Sequence, residues 1–76
     1  MALTTVTLKE IERIFDILDR LGISREAVVI PLKPVHPGGV RVLPNRKIEI
    51  RVESETPLDV WLPELERMLD TIRTRG

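Results

Sequence analysis

Between Val6 and Leu21, apolar residues return at steps of three and four: Leu8, Ile11, Ile14, Phe15, Leu18 and Leu21. This spacing puts them on one stripe of a helix, and Asp16 and Arg20 lie four apart on the wet side in the favourable order. Both ends of the helix are marked. Thr7 followed by Glu10 makes a capping box, with Val6 and Ile11 at the staple positions, and Gly22 can take a left-handed conformation to stop the helix. In the stretch "ISREAVVIPLKPV", Ser24 can cap a single turn over residues 25–27. Val28-Val29-Ile30 then favours strand, and the pattern predicts a first strand over 27–33. Pro31 and Pro34 confine that strand to a sheet edge.

The period changes to two in "VRVLPNRKIEIRVE". Val40 and Val42 alternate with Arg41, and Ile48, Ile50 and Val52 alternate with Glu49 and Arg51. With Pro44-Asn45-Arg46 as a three-residue loop, Val42 pairs with Ile48, Arg41 with Glu49 and Val40 with Ile50. Apolar residues then meet on one face and opposite charges on the other, whereas a two-residue loop sets Val42 against Glu49. Asn45 or Arg46 must supply the left-handed residue, and Asn45 is sterically the easier.

A second helical stripe follows in Leu58, Trp61, Leu62, Leu65, Leu69 and Ile72. Thr56 is the expected cap, Pro57 the first helical position and Asp59 the capping-box acid. Pro63 interrupts the stripe. It removes a ladder hydrogen bond at a cost of about 3 kcal/mol, so a kink or a restart is expected there. The last residues, "RTRG", are expected to fray. The economical fold is a single small α+β domain over residues 1–76. It has two layers in the order helix–strand–strand–strand–helix, an antiparallel three-stranded meander with both helices on one face.

Composition narrows the function classes. The 76 residues hold 12 basic and 12 acidic side chains, so no net charge draws the chain to nucleic acid or an anionic membrane. No apolar run approaches the roughly 18–20 residues of a membrane span. The N-terminal stretch lacks the basic start and apolar block of a secretory signal, and a cytoplasmic protein is expected. Six prolines, one asparagine and no glutamine lean towards a heat-adapted or GC-rich source. With no cysteine and one histidine, neither a disulfide nor a multi-histidine zinc site is possible within one chain.

That histidine stands in "PVHPGG". The tetrapeptide His-Pro-Gly-Gly resembles the one that carries a haem-ligating histidine in small b-type cytochrome domains. Such a haem needs two axial ligands, and His36 has no second histidine to join it. No cysteine or tyrosine is present to act with it, and Ser24 and Ser54 have no motif around them. The segment therefore reads as a turn, in which Gly38 and Gly39 supply positive φ; its N–H groups could at most cradle an anion. "LGISREAV" is similar to the turn and second-helix start of helix-turn-helix proteins, but Pro31 ends the would-be recognition helix. Glu53 and Glu55 lack a third ligand for a metal. No catalytic, cofactor-binding or metal residue is assigned, and no cofactor is expected.

What remains is assembly. A chain this short buries about 60% of its unfolded surface, so oligomerisation would help it. "KIEIRVE" reads as a bare edge strand. Paired antiparallel about Ile50 with a second copy, it sets Glu49 against Arg51 of that copy, so Ile48, Glu49, Ile50, Arg51 and Val52 form the expected homodimer interface. The function expected is a homo-oligomeric protein-interaction module or subunit without catalytic activity, partnered by itself and by another protein. The alternative is a nucleic-acid-binding regulator that contacts phosphates through Arg41, Arg46 and Lys47 on the hairpin.

Overall fold

The computed structural model describes residues 5–75. Met1–Thr4, the start of the stretch expected not to be a secretory signal, and Gly76 of the expected frayed end lie outside the described residues. In chain order the elements are α1 (Leu8–Leu21), a single 3-10 turn (Arg25–Ala27), β1 (Val28–Val29), β2 (Gly39–Val42), β3 (Ile48–Arg51) and α2 (Leu58–Arg75).

The helix ends follow local chemistry. The Thr7 N–H donates to the Glu10 carboxylate at 2.9 Å. At the far end Gly22 adopts φ 73°, ψ 26° and donates back to the last turn, as the stop signal required. The Ser24 hydroxyl caps the 3-10 turn through Glu26 N–H. The apolar stripe needs one change. Leu8 opens the helix and is 67% exposed, whereas Ile17, one turn on from Ile14 and beside Leu18, is buried. Helix α2 runs unbroken through Pro63.

The core joins Ile14, Ile17 and Leu18 of α1 to Trp61, Leu62, Leu65 and Leu69 of α2, over Ile50 and Val52 of the third-strand segment. Burying such side chains supplies about 1.5–3 kcal/mol each.

The sheet is not the expected meander. Its order is β1-β3-β2, with β1 parallel to β3 and β2 antiparallel to it. The cause lies in residues 30–38. After β1 the chain does not turn back. It continues alongside β3, interrupted at Pro31 and Pro34, which cannot donate to a ladder. It meets β3's extension again at Val35. There Val35 N–H donates to the Val52 carbonyl at 2.9 Å and Ser54 N–H donates to the Val35 carbonyl at 2.8 Å. Only then do residues 36–38 carry the chain across the end of β3 to begin β2 on the other side. The expected first strand over 27–33 is cut to Val28–Val29 by the same prolines, and it does sit at an edge.

The hairpin has the expected register: Val42 opposite Ile48, Arg41 opposite Glu49, Val40 opposite Ile50. Leu43 N–H donates to the Lys47 carbonyl at 2.7 Å and Arg46 N–H to the Leu43 carbonyl at 2.9 Å, closing the three-residue loop. The left-handed residue is Arg46, at φ 70°, not Asn45. Asn45 instead accepts Lys47 N–H on its side-chain oxygen at 3.0 Å. In this loop the third position carries the positive φ, and a side chain there costs about 1 kcal/mol. Arg46→Gly is therefore expected to raise stability by about 1 kcal/mol, read as a higher urea midpoint at constant m-value. An unchanged or lower midpoint would contradict this account of the turn.

Candidate functional site

The segment that crosses the end of β3 meets the first residue after Val52. Glu53 is 5% exposed, and four donors converge on its carboxylate. One carboxylate oxygen accepts Gly38 N–H at 2.8 Å. The other accepts Glu55 N–H at 2.9 Å, Thr56 N–H at 3.2 Å and His36 Nδ1–H at 2.5 Å. One side chain thus ties the crossing segment to the residues that lead into α2. Gly38 lies so close to the strand that a Cβ there would stand 2.6 Å from Glu53 N and 2.8 Å from the Arg51 carbonyl oxygen.

Two sequence expectations change here. Neither Gly38 nor Gly39 has positive φ; Gly22 alone among the described glycines does. Gly38 is needed for space rather than for conformation. His36 is half-exposed but is not a free turn side chain, because it is fastened to a buried carboxylate.

The electrostatics follow from this geometry. Burial, the largest single influence on Glu53, favours its neutral form. The hydrogen bonds from Gly38, His36, Glu55 and Thr56 together outweigh it and hold the carboxyl at about 2. The His36 imidazole is pushed up, chiefly by its hydrogen bond to Glu53, with the charges of Glu53 and Glu55 adding to the shift. Depression of Glu53 means that its contribution is present above about 4.5 and is lost as pH falls towards 2. Elevation of His36 means that its contribution is full below 6.5 and is lost as pH rises through the folded-state value. Stability from this pair should therefore peak between about pH 4.5 and 6.5. His36→Ala is expected to abolish the alkaline decline while leaving an acid-side decline. Urea midpoints measured across pH for both proteins check this, and parallel profiles above pH 6.5 would refute it.

A buried carboxylate that orients an imidazole is two parts of an acid–base constellation. Here the carboxylate's accepting capacity is spent mainly on backbone. The next acid, Glu55, stands 4.0 Å from His36 Nδ1. No group of three or more metal-ligating side chains assembles among the described residues.

The residues expected from sequence fall elsewhere. Arg41 lies on the sheet face opposite the core, bonded to Glu49 at 2.8 Å, and Arg51 approaches the same carboxylate at 3.8 Å. Arg46 and Lys47 stand exposed in the hairpin loop. Ile48–Val52 cannot pair with a second copy as expected. β3 is the central strand, with β1 and β2 on its two sides, and Ile50 and Val52 are fully buried. A second feature that sequence did not flag is a groove of about 830 Å3 between the helices, floored by Ile17, Leu21, Leu62 and Pro63. Ion pairs span it, Arg13 with Asp59 at 2.6 Å and Arg20 with Glu66 at 2.8 Å.

Among the described residues no helix is long and apolar enough to cross a membrane. No protein-family model matches the chain, and neither a curated protein nor a solved structure does.

Proposed function

We propose that the chain works as a cytoplasmic, homo-oligomeric protein-interaction module or subunit without catalytic activity. The observation that carries this reading is the asymmetry of the two sheet edges. β1 is two residues long and runs into Pro31 and Pro34, and the Leu32 carbonyl beyond it is covered by Val6 N–H at 2.8 Å. β2 has four residues, no proline and no described segment alongside its outer side. Bare edges of this kind pair with other chains unless something blunts them. A non-catalytic role is supported by Glu53, whose oxygens serve mainly the backbone N–H groups of Gly38, Glu55 and Thr56.

The nucleic-acid reading draws its support from Arg46 and Lys47 in the exposed loop, but Arg41 is already engaged by Glu49. Sedimentation velocity over a wide concentration range tests the proposal, with a concentration-dependent shift to a larger species expected. A monomer at every concentration would overturn it. Elution from heparin well above physiological salt would favour the nucleic-acid alternative.

A further inference from the structure

We infer that the outer edge of β2 is the self-association surface, and that it pairs antiparallel with β2 of a second copy about a two-fold axis at Arg41. This rests on the homo-oligomer reading above and adds its surface and register.

The hairpin identifies the open groups. Leu43 and Lys47 form a hydrogen-bonded pair, so the antiparallel alternation makes Arg41–Glu49 and Gly39–Arg51 the next ones. The N–H and C=O of Val40 and Val42 therefore point away from β3 into the open side. Their spacing is self-complementary. With Arg41 on the two-fold, Val40 of one copy faces Val42 of the other, and all four open groups in each strand find partners. A register centred on Val40 would instead pair Val42 with Gly38 of the second copy. Gly38 N–H is already given to Glu53, so that register loses hydrogen bonds.

Two side-chain observations point to the same edge. Val42 lies on the core side of the sheet yet is 56% exposed, and Val40 of the second copy would cover it. Gly39 has neither positive φ nor any atom within 4 Å of a Cβ placed on it, so nothing in its own chain requires glycine. A glycine inside a strand without a local cause often marks the close approach of another backbone. In this register Gly39 faces Leu43 of the second copy and leaves room for it. The opposing element is Arg41 across from its own copy. Each arginine is bonded to Glu49 of its own chain at 2.8 Å, so the two-fold brings together two neutral ion pairs rather than two bare charges. The outcome is a continuous six-stranded sheet with β1 at both ends.

The test uses two variants of the full chain. Val42→Pro removes an N–H that makes no bond within the chain, so it is expected to keep the fold and to lose the dimer in sedimentation velocity. Arg41→Cys places the only thiol of the chain on the two-fold, in a non-hydrogen-bonded pair whose Cα atoms lie about 4.5 Å apart. Mild oxidation is expected to capture it as a covalent dimer, while Leu32→Cys on the opposite edge stays largely monomeric. A wild-type monomer at every concentration overturns the homo-oligomer reading and this surface with it. A wild-type dimer that persists in folded Val42→Pro overturns this surface alone. Should Val42→Pro not fold, Arg41→Cys decides: cross-linking no faster than Leu32→Cys overturns the inference.

Discussion

Gly38→Ala is expected to destabilise the fold by about 3 kcal/mol, the scale of forced overpacking against atoms that cannot move aside. The added methyl would stand 2.6 Å from Glu53 N, 2.7 Å from Glu53 Cα and 2.8 Å from the Arg51 carbonyl oxygen. All three are backbone atoms at the end of the central strand, so no rotamer change relieves the contact. The crossing segment must lift, and lifting it breaks the Gly38 N–H bond to the Glu53 carboxylate. Gly39→Ala is the matched control. Its methyl meets nothing within 4 Å, and its backbone is not left-handed. That change is expected to stay within about 0.5 kcal/mol in the monomer. Urea denaturation of the pair, at a concentration that holds both as monomers, separates the two sites. Equal midpoints would show that the close crossing does not exist in solution.

The second large effect is expected at Glu53. Glu53→Gln keeps the shape but turns one acceptor oxygen into a donor that faces N–H groups, and it removes the charge that holds His36. Loss of a buried, charge-assisted network of this kind costs about 3 kcal/mol. The amides of Gly38, Glu55 and Thr56 should lose protection from hydrogen exchange together, since one side chain holds all three. The part of the acid-side decline that comes from Glu53 should also disappear, leaving that of Glu10, whose carboxyl is held below the usual range chiefly by the Thr7 N–H. A loss below about 1 kcal/mol would mean that solvent replaces the carboxylate readily. Combined with Gly38→Ala the effects should fall short of additive, because both changes release the same contact.

The acid and the glycine left faint marks in the sequence. Glu53 sits one residue past an apolar alternation that ends at Val52, where a charged residue looks like ordinary solvent-facing chemistry. The two glycines after His-Pro look like turn residues. Gly39 is a further mark, a glycine at a strand-forming position without a local need. His36 was legible as a turn residue. Its partner was not, because Glu53 is seventeen positions away in the chain.

Sequence alone determined both helices, the caps of the first at Thr7 and Gly22, and the hairpin register from Val40 to Ile50. Each rests on interactions between residues a few positions apart, where periodicity, capping groups and loop length act directly. Tertiary structure decided the rest. The 3-10 turn and prolines made β1 short, but only the pairing of Val28 with Ile48 and of Val35 with Glu53 made it parallel to β3 and put β3 in the centre. Neighbouring strands in sequence pair by default, and a local reading has no term for a third strand that enters between them. The placement of Arg41, Ile50 and Glu53, and with it which edge is open, follows from that one long-range insertion.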